Sequence, residues 1–181
     1  MSGKIILLMG PMCSGKSSEL KRRLRMHQVA KKTVIAIKKD IDVRNDEDRK
    51  GLLSSRDGSH PIEAIVVEKL SDYALAGIRG AVIGIDEAQF YTPKDLLEFC
   101  VVARDQGNTV VVSALSGDKH CKMWPSIVTL QPICDQVHFL TAICEFCGEE
   151  APFTMQLSGS KELVDVGGKY APVCYKCWRA P

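Results

Sequence analysis

The chain has 181 residues, 45% of them hydrophobic and 25% charged, the balance of a soluble globular domain with enough chain for one full core and a small appendage. Lys+Arg 24 against Asp+Glu 22 leaves a net charge of +2, too even for a protein whose main task is to neutralise a nucleic-acid backbone, so no stable nucleic-acid partner is expected. No apolar run reaches the ~18 residues of a membrane-spanning helix and the run Ile5–Met9 is too short for a secretory signal, so no membrane partner and a cytoplasmic location are expected, where the eight cysteines read as thiols or metal ligands rather than disulfides.

In chain order, Lys4–Met9 (KIILLM) reads as a continuous apolar strand of the kind buried on both faces of a parallel sheet. Gly10–Ser17 is a turn, and Ser17 to about Val29 is a helix with Leu20 and Leu24 on one face. Thr33–Ile37 is a second strand. Asp40–His60, charged in both signs, is a surface loop. Ile62–Val67 is a third strand, Leu70–Arg79 a short helix, and Ala81–Ile85 a fourth strand ending in Asp86-Glu87. Pro93–Gln106 is a helix with proline at its start and Gly107 at its stop. Thr109–Leu115 and Gln136–Ile143 are the fifth and sixth strands. Strands alternating with helices predict an α/β fold: a parallel sheet carrying a phosphate loop, with flanking helices on both faces.

The cysteines divide in two. Cys13, Cys100, Cys121 and Cys134 show no spacing and read as small buried or half-buried hydrophobes. Cys144-Glu-Phe-Cys147 and Cys174-Tyr-Lys-Cys177 are two C-x-x-C knuckles, which together offer the tetrahedral four-sulfur set that suits a structural zinc ion. The alternatives are core cysteines or a redox dithiol. Zinc would close the 26-residue segment Gly148–Val173, with Gly159, Gly167 and Gly168 supplying a mobile lid. The expected division is a nucleotide-binding domain over 1–143 and a small zinc-ribbon-like domain over 144–181.

Gly10-Pro11-Met12-Cys13-Ser14-Gly15-Lys16-Ser17 matches G-x-x-x-x-G-K-[ST] between a strand and a helix. Such a loop turns its amides and the helix dipole toward phosphate oxygens, sets Lys16 to bridge the β- and γ-phosphates, and sets the Ser17 hydroxyl on Mg²⁺. The complementary acid is Asp86, at the carboxyl end of what is read as a neighbouring strand, and Glu87 beside it is placed to take a proton from an attacking hydroxyl. This much predicts phosphoryl transfer from a nucleotide but leaves kinase and hydrolase open. No guanine-reading Asn-Lys-x-Asp is present. An ATPase that binds nucleic acid through Lys169, Tyr170, Tyr175, Lys176, Trp178 and Arg179 is the competing class, weakened by Glu145, Glu149 and Glu150 nearby.

GPMCSGKS over Gly10–Ser17, IDEAQF over Ile85–Phe90, VSALSG over Val112–Gly117, and the tail T-A-I-C-x-x-C with V-G-G and K-Y-x-x-V-C-x-x-C together resemble the type II thymidine kinases from about Lys4 to about Trp178. The resemblance implies an ATP-dependent, Mg²⁺-requiring enzyme that phosphorylates the 5′-hydroxyl of thymidine or deoxyuridine, a homotetramer with a structural zinc in a segment called the lasso. It implies Glu87 as general base, Met12, Phe90 and Leu115 around the base, Thr154 at its polar edge and Tyr170 against the nucleoside. It further implies Arg44 near phosphates and Gln89 supporting the strand end beside the nucleotide. Met12, Phe90 and Leu115 also read as core, and Arg44 as a solvated charge. Asp165, where the family pattern is often apolar, is counted with the substrate-binding set, and Asp118-Lys119 stands where an aromatic is common.

Overall fold

The computed structural model describes residues 2–39, 51–53, 61–158, 161, 163 and 168–179. The apolar run near the start forms β1 (Lys4–Gly10) and leads through the phosphate loop into α1 (Lys16–Val29). The chain continues through β2 (Val34–Lys39), β3 (Leu52–Leu53), β4 (Ile62–Glu63), β5 (Ile65–Val67), β6 (Val82–Asp86), α2 (Pro93–Asp105), β7 (Thr109–Leu115), α3 (Pro125–Leu130) and β8 (Gln136–Phe139). Six of these strands make one sheet in the order β5-β2-β6-β7-β1-β8, and every pairing in it is parallel. Alternate residues of β1 serve two cores. Ile5, Leu7 and Met9 face the side covered by α2 and α3, and Leu8 faces α1 with Leu20 and Leu24.

Local chemistry sets the ends of the helices. Thr92 caps α2, its Oγ1 accepting from the Asp95 N–H at 3.3 Å ahead of Pro93, and Gly107 ends it at φ 83°. The helix expected over Leu70–Arg79 is a single 3-10 turn at Leu70–Asp72. Gly77 and Gly80 lie at φ 80° and 66°, incompatible with a continued helix. The turn is gripped by the Asp95 carboxylate, which accepts from the Leu70 and Ser71 N–H groups at 2.8 and 3.0 Å. The strand expected over Ile62–Val67 breaks at Ala64 into β4, which pairs antiparallel with β3, and β5, at the sheet edge. The long loop expected over 40–60 therefore contains a strand at Leu52–Leu53; residues 40–50 and 54–60 lie outside the described set. Sequence reading placed no element at α3, although Pro125 stands at its first turn.

The strand expected over Gln136–Ile143 also divides. β8 belongs to the main sheet, whereas β9 (Ala142–Ile143) pairs with β10 (Glu150–Ala151), and β11 (Phe153–Gln156) pairs with β12 (Tyr170–Val173), both antiparallel. These hairpins and the short helix α4 (Tyr175–Arg179) enclose a separate small core of Ala142, Cys144, Ala151, Ala171 and Val173. An α/β unit with a small cysteine-bearing unit is thus the observed architecture. No helix among the described residues is long and apolar enough to cross a membrane.

Candidate active site

Two different constraints demand the glycines of the phosphate loop. Gly15 takes a left-handed conformation at φ 79°, where a side chain is strained, and delivers the chain into α1. Gly10 is fixed by crowding: a Cβ there would lie 2.3 Å from the Leu140 carbonyl oxygen and 2.7 Å from Ser14 Oγ. Between them, Lys16 Nζ donates to the Pro11 carbonyl at 2.5 Å and to Ser14 Oγ at 3.4 Å. Burial lowers the Lys16 pKa from its ordinary value, and the nearby Glu87 and Asp86 carboxylates, with Cys13, pull it back up. A lysine and two carboxylates therefore share one end of the sheet.

Asp86 is not on the strand next to the loop. β7 lies between β1 and β6, which corrects the expectation of a neighbouring strand. The link is made by α1, which crosses to β6. Gly84 permits the crossing, since a Cβ there would sit 2.7 and 3.0 Å from the two terminal methyls of Leu24 and 3.2 Å from one of Leu20. Gly84 and Asp86, two residues apart, share a strand face, so Ser17 at the helix start reaches Asp86, its Oγ donating to Oδ2 at 3.0 Å. Both donors are hard oxygens at the edge of a phosphate cradle, a set that fits Mg²⁺.

Glu87 follows Asp86 in a left-handed conformation, φ 53° and ψ 38°, and opens a 3-10 turn over Ala88–Phe90. Non-glycine residues held in this region cost of order 1–3 kcal/mol and gather at functional sites. Buried Gln89 donates from Nε2 to Glu87 Oε2 at 2.5 Å, and its Oε1 accepts from the Leu115 N–H at 3.1 Å. Phe90 packs edge-on to Trp124, centroids 5.5 Å apart, against the core that also takes Leu115. Neither Gly84, Ser126 nor Trp124 was assigned a role from sequence. The glycine inside an apolar strand, a mark of close approach, was the available signal; Ser126, whose Oγ donates to the Gln89 carbonyl at 3.2 Å, carries none.

The small unit meets this edge through β11. Phe153 and Met155 face its own core, while Thr154 and Gln156 face the other way. Thr154 Oγ1 accepts from the Met12 N–H of the phosphate loop at 2.9 Å. Gln156 Oε1 accepts from Lys119 Nζ at 2.8 Å. Tyr170 pairs with Gln156 across the hairpin, half-buried. Arg44, Asp165, Gly159 and Gly167 lie outside the described residues.

The Sγ atoms of Cys144, Cys147, Cys174 and Cys177 all lie within 4.8 Å of one another, with Cys147 and Cys174 3.6 Å apart. A tetrahedral zinc with Zn–S near 2.3 Å requires sulfurs roughly 3.8 Å apart, so the set fits that ion. Burial pushes the Cys144 thiol up, but the backbone N–H groups of Cys174, Phe146 and Cys147 outweigh it and bring the thiol down to about 6. Cys177 is pushed up to about 12, chiefly through its hydrogen bond with Cys147, as expected where four thiols crowd one space. Phe153 and Trp178 stack on each other at 5.9 Å and 27° beside this cluster, which occupies faces that the competing class would need for bases. Of the four cysteines outside the two knuckles, Cys100 is buried and Cys134 half-buried, as expected, but Cys13 and Cys121 are exposed. Both have left-handed backbone, φ 60° and 59°.

A family model described as "Thymidine kinase" matches residues 3–178. The cytosolic thymidine kinase of Cricetulus griseus is 40% identical over 178 residues, covering 97% of this chain and 73% of that one. The cytosolic thymidine kinase of Homo sapiens is 39% identical over 181 residues, with 97% and 73% covered. The thymidine kinase of vaccinia virus (strain Western Reserve) is 37% identical over 178 residues, with 97% of each covered.

Proposed function

Because the chain belongs to the thymidine kinase family, we propose that it transfers the γ-phosphoryl group of ATP to the 5′-hydroxyl of thymidine, and of deoxyuridine, giving the nucleoside monophosphate. The observation that carries this is the convergence at one sheet end of Lys16, the Ser17–Asp86 pair and Glu87. The loop Gly10–Ser17 cradles the triphosphate, with backbone amides and Lys16 balancing its charge. Ser17 and Asp86 hold Mg²⁺, which when bound neutralises charge on the phosphate oxygens. Glu87 takes the proton of the 5′-hydroxyl as that oxygen attacks the γ-phosphorus in line, and ADP departs. Met12, Phe90, Leu115, Thr154 and Tyr170 enclose the nucleoside, and the Thr154–Met12 bond seats the small unit on the phosphate loop so that water is excluded. Zinc on the four cysteines holds that unit folded. The same reading divides the chain at residues 143 and 144. It also makes the enzyme a homotetramer of the cytosol, in line with relatives whose names call them cytosolic.

The deciding experiment incubates purified, zinc-loaded protein with a panel of nucleosides, γ-labelled ATP and Mg²⁺. Thymidine and deoxyuridine monophosphates are expected, and Glu87→Ala is expected to lower kcat by about 10²–10⁴. No labelled monophosphate from any pyrimidine nucleoside overturns the reading.

A further inference from the structure

We infer that Gln89 is the positioning residue for Glu87, locking the proposed base to the strand that lines the nucleoside pocket; this rests on the function proposed above. The amide of Gln89 has only one workable orientation. The Leu115 N–H can only donate, so the side-chain atom facing it at 3.1 Å is the oxygen, Oε1. Nε2 is thereby turned to Glu87 Oε2 at 2.5 Å. Gln89 is 3% exposed, and its own carbonyl is gripped by Ser126 Oγ from α3 at 3.2 Å. Its side chain therefore has no freedom to swing away with the residue it holds.

Glu87 needs such a hold. Its backbone is left-handed at φ 53°, a conformation that persists only where surroundings impose it. A carboxylate side chain has free rotation about its last bond, and a misplacement of about 1 Å at a reacting group can cost ~10²-fold in rate. Gln89 fixes one oxygen of that carboxylate and refers it to the backbone of Leu115, a wall of the nucleoside pocket. The base and the wall that orients the acceptor are thus joined through one side chain.

The test measures steady-state kinetics of zinc-loaded enzyme for Gln89→Met and Gln89→Glu, each in the normal and the Glu87→Ala background. Gln89→Glu keeps the acceptor for the Leu115 N–H and removes the donor to Glu87, so it remains informative if Gln89→Met fails to fold. The expected result is a kcat lower by ~10²-fold in the normal background, with KM for thymidine and for ATP within about twofold, and a further loss under about twofold in the Glu87→Ala background. Equal losses in both backgrounds, a loss carried by KM, or full activity of Gln89→Glu would each overturn the assignment. Inactivity of the unsubstituted enzyme toward thymidine would instead sink the function on which it rests.

Discussion

Replacing Gly84 by alanine isolates the contact that brings the two halves of the proposed phosphate site together. The added Cβ would lie 2.7 Å from Leu24 Cδ1, 3.0 Å from Leu24 Cδ2 and 3.2 Å from Leu20 Cδ1, where carbon atoms prefer about 3.5–4.0 Å. Leu20 and Leu24 are fully buried among core side chains, so turning their methyls aside disturbs the packing around them, and the expected response is a retreat of α1 by up to roughly 1 Å to restore ordinary contact. Overpacking of this kind costs about 1–3 kcal/mol, which for a chain of this length lowers Tm by about 2–12 °C. The same retreat stretches the 3.0 Å Ser17–Asp86 bond past hydrogen-bonding range. A loss of about 1.4 kcal/mol there raises KM for ATP·Mg²⁺ about tenfold, while KM for thymidine holds. Differential scanning calorimetry and initial rates over both substrates read the two effects. Adding Leu24→Ala makes room for the new methyl, so the double variant should be more stable than the sum of the two single losses by about 1 kcal/mol. An unchanged Tm together with an unchanged ATP KM in Gly84→Ala would refute the view that this glycine sets the approach of α1 to β6.

Three further outcomes are expected. Thr154→Val preserves shape but leaves the Met12 N–H unpaired, a cost of about 1–3 kcal/mol; initial-rate measurements should show KM for thymidine up about tenfold and near-normal kinetics for Thr154→Ser, and an unaffected valine variant would detach this contact from closure. Glu19 is held down to about 2, first by its hydrogen bond from Arg22 and then by Arg23, against an opposing push from burial. A depressed carboxylate stabilises the folded state fully above its ordinary value of 4.5 and loses that contribution as pH falls toward about 2, so the Tm gap between the natural chain and Glu19→Gln should close across that interval in acid melts, and a constant gap would count against it. Removal of zinc by a chelator under mild thiol modification should release one ion per chain by mass spectrometry and abolish nucleoside turnover, while a fluorescent ATP analogue still binds the phosphate loop; full turnover by metal-free protein would contradict a structural role for Cys144, Cys147, Cys174 and Cys177.

Legibility from sequence followed the range of the forces involved. Lys4–Met9, Thr109–Leu115 and Pro93–Gln106 were readable because burial on two faces, or a Pro93 start with a Gly107 stop, is written within about a dozen residues. Leu70–Arg79 misled because its helix-compatible composition was overridden by two positive-φ glycines and by a carboxylate on α2, distant in the chain. Gln136–Ile143 misled because one apolar stretch serves two different sheets, and which sheet a strand joins is decided by partners rather than by its own pattern.

The sequence alone determined the chemical inventory: a strand–glycine loop–helix able to cradle phosphates, an Asp-Glu pair ending an apolar strand, and four cysteines at spacings that reach one ion. Those signals are legible because each depends on atoms a few bonds apart. Tertiary structure alone decided how they meet. The strand order puts β7 between the loop and Asp86, the glycine at 84 lets α1 bridge that gap, and Gln89 ties Glu87 to Leu115. Such contacts join residues far apart in the chain, where the closeness of packing, and not any local pattern, selects which side chains touch.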